Sequence, residues 1–150
     1  MNYSDYFILV MEILGTISFA SSGAMLAIQR RMDVFGVTIL GVTTAVGGGV
    51  IRDLVLGITP PSMFRDSKYA LVAIVTSLII FALMYVRRQL FSGSFMLWYD
   101  KIMNFFDTVG LGIFTVVGMS TAITVGYSKN YFLMCFVGVV TGVGGGVMRD

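Results

Sequence analysis

The sequence has 150 residues, of which 57% are hydrophobic and 12% are charged, and its formal net charge is +2. Soluble domains carry about 25% charged residues, so this composition excludes a water-soluble globular protein. The small positive charge on so apolar a chain gives no reason to expect a nucleic-acid partner. The sequence contains no histidine and one cysteine, Cys135, so we expect no enzymatic site, no metal and no cofactor.

Five long apolar segments follow one another along the chain, and each approaches the roughly 20 residues that cross a bilayer as a helix. They lack the two-residue alternation of barrel strands. The sequence therefore predicts an all-α integral membrane protein whose first partner is the lipid bilayer. The predicted segments 1 to 5 are Tyr6–Ile28, Val34–Ile51, Tyr69–Val86, Ile102–Val125 and Tyr131–Met148.

Segment 2 carries the stretch "GGGVIRD" from Gly47 to Asp53, in a helix that we expect to continue to about Gly57, before Pro60 and Pro61. Each glycine costs about 1 kcal/mol relative to alanine in a helix, so three in a row predict a kink or local unwinding near the middle of the membrane. Freed carbonyl groups there would face protein or a water-filled cavity. The alternative is close packing of helices, to which glycine is also suited in membranes.

Segments 4 and 5 repeat segments 1 and 2. Residues 33–53 align with residues 130–150 at an offset of 97, and 11 of the 21 positions are identical. Segment 4 matches segment 1 at an offset of 95, which places Asp107 opposite Glu12. Because segment 3 lies between the copies, the second copy starts from the opposite side of the membrane, which is the arrangement of an inverted repeat.

These copies divide the chain into a first repeat over residues 1–90 and a second, inverted repeat over residues 91–150. Matching positions in the two copies supply all the candidate site residues. The candidate hinge or pore residues are Gly47, Gly48, Gly49, Gly144, Gly145 and Gly146. The candidate charges at the pore mouths are Arg52, Asp53, Arg149 and Asp150. Further candidates for lining the pore or balancing charge are Thr44, Thr141, Glu12 and Asp107.

Charged side chains at membrane depth usually face the protein interior or an aqueous path. Adjacent residues on a helix do not face each other, so one prediction pairs the charges between the copies, Arg52 with Asp150 and Arg149 with Asp53. The alternative, which the sequence leaves open, places these residues at the membrane surface, where each arginine extends towards water.

The two acidic residues of segments 1 and 4, and the threonines that precede the triplets, leave similar choices. Glu12 and Asp107 either bind a cation, neutralise an arginine or lie near the lipid headgroups. The hydroxyl groups of Thr44 and Thr141 either line a pore or donate to the backbone of their own helix. We slightly favour the backbone interaction for the threonines.

The doubled Gly-Gly-Gly-x-x-Arg-Asp motif, in "GGGVIRDLVLGITPP" and "TGVGGGVMRD", resembles the signatures of the prokaryotic TRIC family, the trimeric intracellular cation channels. The resemblance covers essentially the whole chain. It implies a homotrimer in which each protomer has its own pore, lined mainly by helices 2 and 5, which kink at the triplets. It also implies that monovalent cations permeate, chiefly K⁺. The same family has been labelled a glycine transporter family, and its members continue into two further helices, 6 and 7, which are missing from this sequence.

From these features we expect a monovalent cation (K⁺ or Na⁺) channel with its path between segments 2 and 5, where backbone carbonyls at the glycines partly replace ion hydration. The first alternative is a secondary transporter for glycine or another small amino acid, and the second is a scaffold protein. We expect an inner (cell) membrane location with the N-terminus outside, because more positive charge flanks the segments on the predicted inner side. The inner-side residues are Arg30, Arg31, Arg87, Arg88 and Lys101.

Overall fold

The computed structural model describes residues 3–87 and 93–150, and within these ranges the chain is helical without any strand. Five long helices, which we number α1 to α5, correspond to the five predicted segments and confirm the all-α membrane fold. Each is long and apolar enough to cross a bilayer. The helices are α1 (Tyr3–Gln29), α2 (Val34–Val55), α3 (Lys68–Arg87), α4 (Gly93–Ala122) and α5 (Tyr131–Arg149).

Two shorter elements lie between the long helices. A single helical turn, Ser62–Arg65, separates α2 from α3, and a π-helical turn, Ile123–Tyr127, continues α4. Gly126 in that turn has a φ of 106°, a left-handed conformation that glycine adopts without steric cost. This glycine lets the chain leave α4 and turn back into α5.

The starts of α2 and α5 are fixed by equivalent N-caps. The Asp33 side chain accepts a hydrogen bond from the amide of Gly36 at 2.8 Å. The Asn130 side chain accepts one from the amide of Leu133 at 3.1 Å. Each cap satisfies one of the amide groups that a helix start leaves free.

The second copy packs against the first in an inverted orientation. Helix α1 runs antiparallel to α4, since Gln29 near the end of α1 donates to Asp100 near the start of α4 at 2.7 Å. Further towards the start of α1, Gly15 lies against Phe114, which is further along α4. Helix α2 packs on α5 in the same bundle, and α3 packs on α1 and α2. The inverted repeat is therefore confirmed for the helices.

Helix pairing within each copy uses the same contact. A methyl group placed on Gly23 of α1 would lie 2.9 Å from Cβ of Thr44 on α2. A methyl group on Gly118 of α4 would lie 2.9 Å from Cβ of Thr141 on α5. Small residues allow such close approach of membrane helices, so these two glycines are packing positions.

The proposed repeat boundary at residues 90 and 91 lies outside the described residues, as does Arg88. The described outer faces are rich in exposed apolar side chains, including Phe35, Trp98 and Phe132. Such surfaces suit helices that are surrounded by lipid rather than water.

Candidate functional site

The glycine triplets bring the backbones of α2 and α5 into contact. A methyl group on Gly145 would lie 2.5 Å from the carbonyl oxygen of Thr44, and one on Gly144 would lie 2.9 Å from Cα of Gly48. A methyl group on Gly48 would likewise overlap the carbonyl oxygen of Thr141. The two helices therefore cross at the triplets, at a distance that no residue larger than glycine permits.

The third glycine of each triplet has a different environment. A methyl group on Gly49 or on Gly146 would have no neighbouring atom within 4 Å. Within each triplet, some glycines thus pack against the opposite helix and the third faces open space, because successive residues of a helix point in different directions.

Both helices continue through their triplets without interruption, over Val34–Val55 and Tyr131–Arg149. The expected local unwinding is therefore wrong for this conformation. Packing against the opposite helix stabilises the helical conformation that three glycines weaken in isolation. A kink that keeps the helical hydrogen bonds stays a prediction.

The open space beside Gly49 belongs to a first cleft, with a volume of about 40 Å³. Its walls come from α1, α2, the connection between α2 and α3, and the start of α3, and Phe114 of α4 closes one side. The polar or small residues that line it are Glu12, Thr16, Gly49, Arg52, Asp53, Ser62 and Tyr69.

The open space beside Gly146 belongs to a second cleft, with a volume of about 390 Å³. Its walls come from α4 and α5, and Phe19 of α1 closes one side. Its lining includes Asp107, Leu111, Gly146, Arg149 and Asp150, which are the repeat equivalents of five residues of the first cleft. Because the copies are inverted, the two clefts lie at opposite ends of the α2–α5 pair.

The first cleft contains a buried charge cluster. Arg52 donates from Nε to Oδ1 of Asp53 at 2.7 Å and from Nη1 to Oε1 of Glu12 at 3.4 Å. The side chains of Arg52 and Asp53 are 6% and 1% exposed. Two groups from outside α1 and α2 complete the cluster: the amide of Ser62 donates to Oδ2 of Asp53 at 2.6 Å, and the Tyr69 hydroxyl donates to Glu12.

The second cleft contains the equivalent cluster. Arg149 donates from Nε to Oδ1 of Asp150 at 2.7 Å and from Nη1 to Oδ1 of Asp107 at 2.7 Å. The Ser22 hydroxyl of α1 accepts from Arg149 and donates to Asp107. The Arg149 and Asp107 side chains are 10% and 28% exposed.

The predicted pairs between the copies, Arg52 with Asp150 and Arg149 with Asp53, are therefore wrong. The charged ends of α2 and α5 lie at opposite ends of the antiparallel pair, so each arginine pairs within its own copy. The expectation that adjacent residues do not pair is also wrong here. The long arginine side chain folds along the helix surface and reaches the next residue from Nε.

The other candidates divide into two groups. Glu12 and Asp107 neutralise the arginines of their own copy, which is one of the three roles left open for them. The hydroxyls of Thr44 and Thr141 donate to carbonyls of their own helices, at 2.7 and 2.6 Å, and both side chains are fully buried. Neither threonine lines a cleft.

Four residues that line the clefts were not singled out from the sequence: Ser62, Tyr69, Phe19 and Phe114. Tyr69 and Ser62 lie outside the aligned copies, so the repeat gave no signal for them. Phe19 and Phe114 occupy matching positions in segments 1 and 4, and that match was the available signal.

This fold and its paired clefts define a helical membrane protein built as an inverted repeat. A family model described as glycine transporter matches residues 9–85 and 104–150, and the chain belongs to that family. The chain is 38% identical over 140 residues to the UPF0126 membrane protein of Deinococcus radiodurans, covering 93% of this chain and 60% of that relative. It is 40% identical over 140 residues to the UPF0126 inner membrane protein YadS of Escherichia coli K12, covering 93% and 63%.

Solved structures of TRIC channels share the fold. A prokaryotic TRIC channel crystallised in 0.5 M KCl matches with a TM-score of 0.84 and 30% identity, covering 97% of this chain and 69% of that one. The TRIC trimeric intracellular cation channel orthologue from Rhodobacter sphaeroides matches with a TM-score of 0.80 and 29% identity, covering 96% and 69%. The chain thus spans about 60% of the length of the curated relatives it matches.

Proposed function

We propose that the protein to which this chain belongs is a monovalent cation channel, permeable to K⁺, with its path between α2 and α5. The observation that carries the proposal is the pair of equivalent clefts at opposite ends of these two helices. A path that joined them would cross the bundle near the glycine triplets. The likeness to two solved cation channels supports this function.

The charges in the clefts support cations as the permeant species. Each cluster holds two carboxylates and one guanidinium group: Glu12 and Asp53 with Arg52 in the first cleft, and their repeat equivalents in the second. Each cleft therefore carries a formal charge of about −1 when all the groups are ionised. A net negative charge between apolar walls raises the local concentration of cations.

The residue roles follow from this geometry. Gly49 and Gly146 leave bare backbone at the cleft walls, where water or an ion can approach the helix. Gly48 and Gly145 hold α2 and α5 together at the crossing. Arg52 and Arg149 offset part of the negative charge of the carboxylates that they contact.

The assembly and location form part of the same proposal. Relatives are named membrane or inner membrane proteins, and one solved neighbour is named a trimeric channel. We infer a homotrimer in the inner membrane, with the N-terminus outside and with two repeats over residues 1–90 and 91–150. Because the chain spans about 60% of its relatives, the activity belongs to the full-length protein.

Planar-bilayer recording of the full-length protein in asymmetric KCl tests the channel. Discrete currents that reverse near the K⁺ equilibrium potential are expected. The double variant Glu12→Gln with Asp107→Asn removes one negative charge from each cleft, so the reversal potential should move towards that of Cl⁻. Asp66→Asn is the matched control, since Asp66 is an exposed acid outside the clefts. Silence of the folded protein would contradict the channel.

A secondary transporter for glycine is the second candidate, and the description of the family model favours it. In that case the inverted copies would rock around a site between the clefts. Liposome uptake separates the two functions: saturable glycine uptake without unitary currents would replace the channel proposal by the transporter.

A further inference from the structure

Two stacked phenylalanine rings separate the two clefts. Phe114 forms part of the wall of the first cleft, and Phe19 forms part of the wall of the second. Their ring centroids are 5.2 Å apart and their planes differ by 15°. Phe114 is 6% exposed and Phe19 is 1% exposed. The stacked pair therefore lies between the two clefts and forms an apolar barrier about two rings thick.

Glycines on the opposing helices make room for each ring. A methyl group on Gly110 would lie 2.7 Å from Cδ1 of Phe19, and one on Gly15 would lie 3.0 Å from Cε2 of Phe114. A methyl group on Gly145 of α5 would also lie 3.0 Å from Phe19. Each ring thus lies against the backbone of a facing glycine and stacks on the other ring.

Beside the rings, the direct route between the clefts is closed by backbone. Helices α2 and α5 touch at Gly48 and Gly145, which leaves no gap for an ion between them in this conformation. The stacked rings of Phe19 and Phe114, each in the wall of one cleft, offer the other route between the clefts.

We propose that Phe19 and Phe114 form an apolar gate that separates the two clefts. A narrow apolar constriction stops ions because water leaves it and the ion loses its hydration. Displacement of the rings would join the clefts into one aqueous path. The gate rests on the proposed function, since it assumes that both clefts belong to one ion pathway.

The competing explanation is that the rings only fill the core. Both belong to a buried apolar cluster with Ala20, Ala45 and Val117. A packing role depends on volume and shape, whereas a gate depends on the apolar character of the barrier. Leucine keeps an apolar barrier, while asparagine supplies polar groups that retain water. Comparing the two replacements therefore separates the explanations.

Silver ions can measure access to the clefts without any current. In full-length protein carrying Cys135→Ser, single thiols are introduced at equivalent wall positions as Val46→Cys and Val143→Cys. Ag⁺ is added to one side of oriented membrane vesicles, and protection of the thiol from later alkylation is followed with time. An apolar gate predicts that each thiol reacts roughly tenfold or more faster from its own side.

The gate variants then test the cause of this difference. In the pair Phe19→Asn with Phe114→Asn, the side preference should disappear and K⁺ flux should rise roughly tenfold or more, because the barrier now holds water. In Phe19→Leu with Phe114→Leu, the side preference should remain. The size-exclusion profile and the thermal unfolding midpoint establish that each variant is folded.

Several outcomes would overturn the gate. Equal reaction rates from both sides in protein with both phenylalanines would overturn it even if the asparagine pair failed to fold. A side preference that persists in a folded asparagine pair would also overturn it. If Ag⁺ reached neither thiol from either side, the proposed pathway itself would fail. If the thiols reacted as expected while no variant carried current, the proposed channel function would be overturned. The apolar barrier between the clefts would still be supported.

Discussion

The two copies of the motif form equivalent ion pairs, but the groups that surround the two arginines differ. Around Arg52, both carboxylates are largely buried and receive further hydrogen bonds from Ser62 and Tyr69. Around Arg149, the Asp107 side chain is 28% exposed, against 18% for Glu12, and the added partner is Ser22 of α1. The repeated sequence therefore specifies the ion pairs, and the surrounding segments decide how much each pair contributes to stability.

The largest expected difference between the copies comes from removing each arginine. Arg52→Gln leaves two buried carboxylates without their cation, and breaking a buried pair in this way costs about 3–5 kcal/mol. Arg149→Gln leaves Asp107, which is 28% exposed, without its cation, so a smaller loss of roughly 2 kcal/mol is expected, between the values for exposed and buried pairs. The measurement is the free energy of unfolding of the full-length protein in mixed micelles.

Two controls sharpen this comparison. Lys68→Gln removes an exposed ion pair with Asp66 and should change stability by less than about 1 kcal/mol. Adding Glu12→Gln and Asp53→Asn to Arg52→Gln should restore much of the loss, since no buried charge is then left unpaired. Equal losses for Arg52→Gln and Arg149→Gln would mean that the burial difference between the copies has no energetic effect.

The triplets offer a second comparison, this time within each copy. Gly48→Ala with Gly145→Ala places a methyl group against the opposite backbone at both positions, and such overpacking costs about 1–3 kcal/mol. Gly49→Ala with Gly146→Ala places it in open space, where alanine in place of glycine gains up to about 1 kcal/mol per site in a helix. Thermal unfolding of the two double variants, which have the same composition, checks the expected opposite signs.

A further outcome of the triplet variants bears on the ion path. If the third glycines supply bare backbone to the clefts, Gly49→Ala with Gly146→Ala should lower K⁺ flux although it raises stability. Unchanged flux in this stable variant would remove Gly49 and Gly146 from the path.

The sequence predicted most of the fold for a definite physical reason. Apolar length is a local signal, so the positions of the five long helices follow from the chain itself. The internal repeat then revealed the inverted arrangement. The repeat also paired Glu12 with Asp107, and both reach an arginine in their own copy.

The sequence failed where the answer depended on contacts between helices. The pairs of Arg52 and Arg149 were predicted across the copies, although the inverted repeat already places the charged ends of α2 and α5 on opposite sides of the membrane. The unwinding expected at the triplets was judged from intrinsic helix propensity, which tertiary packing overrides. Tyr69 belongs to α3, for which the chain offers no second copy to align.

Tyr69 provides the next prediction, of moderate size. Its hydroxyl donates to the Glu12 carboxylate, and hydrogen bonds to charged groups contribute about 1.5–3 kcal/mol. Tyr69→Phe should therefore destabilise the full-length protein by roughly 1–2 kcal/mol, near the lower end because the residue is partly exposed. Tyr85→Phe, at an exposed position on the same helix, is the matched control, and an equal loss there would show that the Glu12 contact contributes nothing specific.

The smallest loss of stability is expected at the N-caps of α2 and α5, which are equivalent in the two copies. Asp33 and Asn130 cap α2 and α5 through side-chain bonds to the amide three residues ahead, both at exposed positions. Asp33→Ala and Asn130→Ala should each cost about 1 kcal/mol, the usual value for a lost N-cap. Unfolding of the two single variants measures this.

If the caps give equal losses while Arg52→Gln and Arg149→Gln differ, the asymmetry is confined to the clefts. If the caps differ as strongly as the arginines, the second copy is less stable throughout, and burial around Arg52 is not the cause of the difference.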